Sequence, residues 1–551
     1  MKIALAQLNY HIGNFTDNTT KIAFEIKRAQ QNGVDLIVFS ELSVCGYPPL
    51  DLLEHRDFVN ESLETVKSIA RICTDIGVIV GSPTYNPNQQ GKPLFNSAYF
   101  LYDSEIQHVV HKTLLPTYDI FDEYRYFEPN NDFEVIEFKG KRIALTICED
   151  LWYNQPAPTP FGRTMLYTVS PMEELSRQKP DFVINIAASP FSYTRVNIKS
   201  KIFTENARKY ALPVFYVNQV GAQTELIFDG GSKVVDHTGE VVDEMSTFAE
   251  DIRYYDLDTV QNRTYSKRDY KNHDIIERIH DALILGIRDY FSKMGFTKAV
   301  LGLSGGIDSA VTLALAVQAL GSENVRVLLL PSMYSTEHSL SDAEEIAENL
   351  GVQYDIIPIK SIFESFKDEL DSLFEGLPEG ITEENIQARI RGILLMAVSN
   401  KFGNILLNTS NKSEAAVGYG TLYGDMNGGL SVLGDVYKTD VYKLAEYINR
   451  EKEIIPNNTI SKPPSAELRP DQKDSDSLPD YEVLDKILFQ YIEKQHTIGE
   501  ITDSGIDEKL VREIITKVNR NEYKRYQTPP ILRISSKAFG PGRRMPLVGK
   551  Y

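Results

Sequence analysis

The segment AVLGLSGGIDSAVTLAL, Ala299–Leu315, constrains this chain more than any other. An apolar run of strand length passes directly into Ser304-Gly305-Gly306-Ile307-Asp308-Ser309, and a helical run follows. Two adjacent glycines let the backbone curl so that several N–H groups point one way. The start of the following helix adds the positive end of its dipole. That combination suits a pyrophosphate. Asp308 alone would oppose an anion, so its presence predicts Mg²⁺ between carboxylate and phosphate. No Gly-Lys-Ser/Thr follows the glycines, which sets this loop apart from that of ordinary ATPases and GTPases.

The surrounding pattern agrees. After a helix at Ile275–Met294, strands at Ala299–Leu303, Val325–Leu330, Tyr354–Pro358 and Ile405–Asn408 alternate with helices at Ser309–Leu320, Ser339–Leu350 and Asn385–Asn400. Strict alternation predicts a doubly wound parallel sheet with its ligand beyond the carboxyl ends of the strands. The first half reads differently. Strands at Lys2–Leu8, Leu36–Phe39, Val78–Gly81, Ala98–Leu101, Ile143–Cys148, Phe182–Ile186 and Val214–Asn218 mix helix-linked and hairpin-like connections. Helices are expected at Thr20–Gln31, Val59–Asp75, Pro171–Lys179 and Asn197–Tyr210. This predicts a layered α/β sandwich. The polar stretch before Ile275 lacks periodicity. The expected domains are therefore 1–258 and 275–551, joined by a linker at 259–274. The stretch Ser461–Asp480 is rich in Pro, Ser and Asp, and is read as a loop that could cover a site.

Composition excludes several alternatives. A chain of 551 residues with 58 Lys+Arg against 77 Asp+Glu has a formal charge of -19. Binding a phosphate backbone uses a basic surplus, so nucleic acid is not the expected partner. Three cysteines, Cys45, Cys73 and Cys148, make no disulfide framework. The start MKIALAQLNY turns polar too early for a secretory signal, and no apolar run reaches membrane-spanning length. A cytoplasmic chain is expected.

SGGxDS between a strand and a helix resembles the N-type ATP pyrophosphatases. That family cleaves ATP between its α- and β-phosphates, adenylates a substrate oxygen, and lets a nitrogen or sulfur nucleophile displace AMP. The loop alone leaves NAD, GMP, asparagine, argininosuccinate or a modified tRNA open as products. Asn411-Lys412-Ser413-Glu414, GYGTLYGDMNGGLSVLGDVYKTDVYKL (Gly418–Leu444) and PPSAELRPDQKDSDSLPDYEVLD (Pro463–Asp485) resemble the synthetase domain of the NAD synthetase family. The C-terminal KAFGPGRRMP, Lys537–Pro546, is similar too. The resemblance implies ATP contacts from Ser304, Gly305, Gly306, Asp308, Ser309, Arg389 and Thr409. It implies Mg²⁺ on Asp308 and Glu414, and contacts to deamido-NAD from Asp425 and Lys438. It also implies that Ser461–Asp480 orders over the active site. On residue type alone, Glu414 is equally a helix-start carboxylate and Lys438 equally a surface lysine.

In the first half, Cys148 ends an apolar strand and precedes Glu149-Asp150. A nucleophilic cysteine needs a base or a positive neighbour. Histidine is the usual base, but His108, His111 and His237 read as surface or turn residues. Glu41 and Lys112 each lie just past a strand, as Cys148 does. Three strand ends can converge, giving an ammonium to stabilise thiolate and oxyanion and a carboxylate to move protons. Cys45 and Cys73 have no activating neighbours and read as packing residues.

Together these residues resemble the Glu-Lys-Cys triad of the nitrilase superfamily, specifically the glutaminase domain joined to NAD synthetases. The resemblance implies an α-β-β-α sandwich, a further active-site glutamate at Glu123, and a glutamine pocket lined by Tyr47, Tyr118, Phe121 and Ser189. VNQVGAQTELIFDGGSKVVD, Val217–Asp236, is another similar stretch. Two departures are visible: Thr117 stands where Asn commonly precedes the Tyr, and Ala222-Gln223-Thr224 replaces a more polar run. The fused halves imply a glutamine-hydrolysing ligase that passes ammonia to adenylated deamido-NAD and releases AMP and pyrophosphate. Amidation of another acceptor by the same machinery is the alternative. The resemblance implies small-molecule substrates, ATP as co-substrate, and a homo-oligomer in which the synthetase domains pair as a dimer, alone or within an octamer.

Overall fold

The computed structural model describes residues 1–551 except 155, 160, 161, 267–272, 471 and 551, and describes only the backbone over 156–159 and 162–164. The chain divides into two units, Met1–Asn272 and His273–Tyr551.

The first unit holds two six-stranded sheets. The first contains β1 (Lys2–Gln7), β2 (Leu36–Val38), β3 (Gly77–Tyr85), β4 (Leu94–Tyr102), β5 (Glu105–His111) and a returning strand, Asp251–Asp256. The second contains β6 (Ile136–Phe138), β7 (Lys141–Ile147), β10 (Phe182–Ala187), β11 (Val214–Asn218), β14 (Lys233–Val235) and β15 (Val241–Glu244). Two hairpins, β8–β9 (Pro156–Thr159 and Gly162–Met165) and β12–β13 (Val220–Gln223 and Leu226–Asp229), stand apart from both sheets.

Side-chain alternation explains the layering. Ile3, Leu5, Leu36 and Val38 share one core with Ile143, Leu145, Ile147 and Ile184 of the other sheet. Ala4, Ala6, Ile37 and Phe39 point the opposite way, onto Ile22, Ile26, Val66 and Ile69 of helices Phe15–Gln31 and Arg56–Ala70. Met172, Leu175, Ile202 and Phe203, from helices Pro171–Arg177 and Val196–Tyr210, join the core around the second sheet. The expected α-β-β-α sandwich is thus present.

Several strands were not legible in the sequence. β5 is an exposed edge strand and shows no buried face. Asp251–Asp256 (β16) pairs antiparallel with β1, a partner from the far end of the unit. The expected linker also needs revision. Its first residues continue a short helix, Leu257–Gln261, and Tyr265 donates to Asp236 at 2.8 Å, so this part packs on the first unit. Residues 267–272 of that linker lie outside the described residues.

The second unit carries a parallel sheet of β17 (Ala299–Gly302), β18 (Val325–Leu329), β19 (Gln353–Ile356), β20 (Ile405–Asn408) and β21 (Leu430–Ser431). The strand order is β19-β18-β17-β20-β21, so the winding reverses between β17 and β20. In such sheets the ligand crevice opens at that reversal, past the strand ends. Helix Ile275–Met294 spans the expected residues. The helix after the glycine loop, Ile307–Leu320, starts two residues earlier than expected and so places Asp308 in its first turn. Helices Tyr481–Leu488 and Glu508–Arg520 build a further apolar core with Ala416 and Val417. Among the described residues no helix is long and apolar enough to cross a membrane.

Candidate functional site

In the first unit, Glu41, Lys112 and Cys148 follow β2, β5 and β7. Glu41 lies in a turn pressed against β3. A Cβ at Gly81 would meet Leu42 N at 2.2 Å, so only glycine admits that turn. Lys112 Nζ donates to Glu41 Oε1 at 2.7 Å and to Glu123 Oε1 and Oε2 at 2.9 and 2.8 Å. All three side chains are buried. Glu41 is held on both oxygens: Asn96 Nδ2 also donates to Oε1 at 2.7 Å, and the Ala188 N–H donates to Oε2 at 2.9 Å. Tyr47 donates its hydroxyl to Glu123 Oε1 at 3.0 Å.

Cys148 opens a short turn, Cys148–Leu151, with φ at +45°. That left-handed backbone is strained for a residue with a side chain, a device that lifts nucleophiles off a strand end. Asp150 fixes the turn against the lysine loop. Its carboxylate accepts from Thr113 N, Leu114 N and Ile147 N at 3.0, 2.9 and 3.0 Å. Glu149, beside the nucleophile, accepts from Tyr118 and Tyr167 hydroxyls at 2.9 and 2.8 Å. Phe121 packs edge-on against Tyr118, with ring centroids 5.5 Å apart. Ser189 is braced by Asn218, which accepts from its N–H at 2.8 Å.

Electrostatics distinguish these groups. Burial and the Glu41 carboxylate push the Cys148 thiol well up, against the pull of Lys112. At neutral pH the sulfur therefore keeps its proton until a base takes it. Burial opposes the Lys112 ammonium, yet Glu123 and Glu41 outweigh it and hold its pKa well above the ordinary lysine value. Burial pushes the Glu123 carboxyl up to about 7, although Lys112 pulls it down. Cys45 and Cys73 are buried and unactivated, both pushed up to about 12 by burial. His108 is exposed and His237 half-buried in its turn. His111 departs from the surface reading: it bonds Ser97 Oγ at 2.7 Å and stacks on Phe95 at 4.2 Å.

In the second unit, a cavity of about 330 Å³ opens where the winding reverses, lined by Ser304, Gly306, Asp308 and Ser309 from one side and Thr409, Glu414 and Lys438 from the other. Gly305 takes φ at +78°, and a Cβ there would meet Ser339 O at 2.1 Å. The loop is closed on itself: Gly306 N donates to Ser304 Oγ at 3.2 Å, and Ser309 Oγ to Gly306 O at 2.9 Å. Lys438 Nζ bonds Asp308 Oδ2, and Glu414 Oε1 at 3.1 Å. Lys438 is 2% exposed, which removes the surface-lysine reading. Burial pushes the Glu414 carboxyl up to about 7 against the pull of Lys438 and with the help of Asp308.

Two carboxylates converging on one ammonium form a place built for positive charge. They also match what Mg²⁺ takes from a protein when phosphate oxygens complete its shell. Asp308 and Glu414 therefore fit that ion. Asp425 lines the same cavity. So do Lys462–Leu468 and Asp474 of the Pro-rich stretch, whose Glu467 accepts from Ser339 Oγ at 2.7 Å. Residue 471 of that stretch lies outside the described residues.

Arg389 is placed differently from the expectation. It is exposed, donates Nε to Leu422 O at 3.2 Å, and does not line the cavity. Two residues along the same helix, Arg391 lines it and donates Nε to Leu330 O at 3.0 Å. A helix turns by about 200° over two residues, so the neighbouring arginines face opposite ways. The sequence reading also missed Asn96, Glu149, Tyr167 and Asn411. Glu149, adjacent to the cysteine, and Asn411, at the head of the Asn411-Lys412-Ser413-Glu414 stretch, were visible in the sequence but were given no role of their own.

A family model described as NAD synthase matches residues 279–528, and one described as carbon-nitrogen hydrolase matches residues 2–163. A glutamine-dependent NAD(+) synthetase from Synechocystis sp. is 44% identical over 555 residues, covering 100% of this chain and 99% of that protein. One from Thermotoga maritima is 40% identical over 586 residues, covering 100% and 99%. The solved structure of the glutamine-dependent NAD+ synthetase from Acinetobacter baumannii in complex with adenosine diphosphate aligns with a TM-score of 0.78 at 39% identity, covering 99% of this chain and 98% of that one.

Proposed function

Because the chain belongs to the glutamine-dependent NAD(+) synthetases, we propose that Cys148 draws ammonia from glutamine in the first unit and that the Ser304–Ser309 loop presents ATP for activation of deamido-NAD in the second. The protein is a ligase with glutamine as nitrogen donor and ATP as co-substrate.

The observation that carries the assignment of the first centre is Lys112 held between Glu41 and Glu123 beside a thiol on a strained turn. Glu41 takes the thiol proton as Sγ attacks the side-chain carbonyl of glutamine. The Lys112 ammonium stabilises the oxyanion, and its bonds to Glu123 keep it in place. Glu41 returns the proton to the departing ammonia, leaving a thioester on Cys148. Water, deprotonated by Glu41, then attacks the thioester carbon; the C–S bond breaks, glutamate leaves, and Glu41 returns the proton to the Cys148 sulfur. Tyr47, Tyr118, Phe121 and Ser189 shape the glutamine pocket.

In the second unit, the backbone of Ser304, Gly305, Gly306 and Ser309 receives the triphosphate, with Thr409 across the crevice. A carboxylate oxygen of deamido-NAD attacks the α-phosphorus and pyrophosphate leaves. Ammonia attacks the acyl carbon and AMP leaves, giving NAD(+). Lys438 stabilises charge on the reacting phosphate, and Asp425 holds the dinucleotide. Arg389, outside the cavity, fits an ATP contact less well than Arg391. Mg²⁺ held by Asp308 and Glu414 would offset the charge of the leaving pyrophosphate. The active assembly is a homo-oligomer, which sedimentation would establish.

The test compares nitrogen sources. Cys148→Ala should abolish NAD(+) formation from glutamine and leave formation from ammonium intact. Loss of both, or of neither, refutes the division of labour.

A further inference from the structure

We infer that Asn411 is a positioning residue for nucleotide activation, its side-chain amide fixing Asp308 and Glu414 relative to each other so that the pair receives a divalent cation. The inference rests on the proposed role of those two carboxylates as metal ligands.

Asp308 stands on the helix after β17 and Glu414 on the helix Lys412–Val417 after β20. They belong to separate strand–helix units, so no local chain geometry sets their separation. Among the bonds of the described residues, two side chains touch both groups. One is Lys438, whose ammonium bonds both carboxylates. The other is Asn411. Its Nδ2 donates to Asp308 Oδ1 at 2.9 Å, and its Oδ1 accepts from the Glu414 N–H at 3.0 Å. The second bond caps the helix that carries Glu414.

The orientation of this amide is fixed by its partners. A backbone N–H only donates and an ionised carboxylate only accepts, so oxygen must face Glu414 and nitrogen must face Asp308. Asn411 is 0% exposed, so its amide itself is shielded from solvent. The bond to Oδ1 leaves Oδ2 of Asp308 as the oxygen turned to positive charge. When a divalent cation and phosphate enter, the ammonium of Lys438 must share those carboxylates or turn to the phosphate. Asn411 carries no charge and has no reason to move, so it keeps the two ligands in register throughout. Partners in this outer position orient metal ligands, and their loss costs about 10–100-fold in metal affinity.

The test uses the full-length protein, with Mn²⁺ as probe in the presence of a non-hydrolysable ATP analogue. Asn411→Ser and Asn411→Thr retain a capping hydroxyl and lose the reach to Asp308. Both should melt within about 4 °C of the wild type. Mn²⁺ affinity should fall about 10–100-fold. The Mg²⁺ level giving half-maximal ammonium-driven synthesis should rise by the same factor. In an Asp308→Ala background, Asn411→Ser should cause no further loss of Mn²⁺ affinity. Unchanged Mn²⁺ affinity in both variants overturns the inference. So does an equal loss in the Asp308→Ala background, or early melting of both variants. Mn²⁺ affinity indifferent to Asp308→Ala itself would overturn the metal reading and this inference with it. Sensitivity to Asp308→Ala without sensitivity to Asn411→Ser would overturn the inference alone.

Discussion

At the first centre the side chains of Lys112, Glu41 and Glu123 are 0%, 0% and 6% exposed, whereas Asp308 and Glu414 keep 19% and 17% exposure around Lys438. Both clusters contain one lysine between two carboxylates. Their surroundings make them different devices. The first is closed on itself, with every charge bonded inside the protein and a thiol alongside. The second faces a cavity of about 330 Å³ beside a glycine loop. A closed cluster can supply fixed charge and move protons at one bond. An open cluster of the same formula can take in phosphate and a cation. The residue list is therefore a poor guide to chemistry until burial and the adjoining space are known.

Four experiments put this contrast at risk. The largest effect is expected from Asp308→Ala because it strikes both routes: NAD(+) formation from glutamine and ammonium alike should fall by about a hundredfold or more. Survival of the ammonium reaction would show that the open cluster is not where ATP reacts. Next, Lys112→Met should abolish glutamine hydrolysis and destabilise the first unit by about 3–5 kcal/mol, because two buried carboxylates lose their counter-charge. Lys438→Met should cost less stability, since solvent reaches its partners. Equal shifts in the two thermal transitions would erase the distinction drawn from burial. Third, Gly81→Ala should push the Glu41 turn off β3 and cut glutaminase turnover by about tenfold or more, sparing ammonium-driven synthesis. An unchanged glutaminase rate would mean that the turn yields without moving Glu41.

The most modest change concerns pH. Folded, Glu123 keeps its proton up to about 7, while an ordinary glutamate releases it near 4.5. Between those values the unfolded chain binds fewer protons, so this carboxyl makes stability fall as pH rises. Glu414 has the same sign, with its carboxyl also at about 7. Glu123→Gln should flatten the pH dependence of melting of the first unit only, and Glu414→Gln that of the second only. Scanning calorimetry between pH 4.5 and 7 would read both slopes. A steeper slope in either variant would reverse the sign of the effect and refute the raised carboxyls.

The Ser304–Ser309 loop was legible because its meaning is local: glycines, a strand before and a helix after dictate the curl. Helix Ile275–Met294 was legible through its apolar period. Cys148, Lys112 and Glu41 were legible as strand-end residues, although nothing in the sequence says how tightly they close. The extent of β5 was missed, although its end before Lys112 was read, because an exposed edge strand has no apolar alternation. Arg389 and Arg391 are chemically identical, and only the rotation of their helix against β17 and β20 separates them.

The order of residues alone was enough to establish the two fold classes, the phosphate loop and the residue types available for both reactions, because periodicity, turn chemistry and motif spacing act over a few residues. Which of those residues share charge was settled by the folded arrangement. Glu41 and Glu123 meet on Lys112, and Asp308 and Glu414 meet on Lys438 and Asn411. Such meetings depend on strand order and on a Coulomb interaction that grows as water is excluded. Neither quantity is written in any local stretch of the chain.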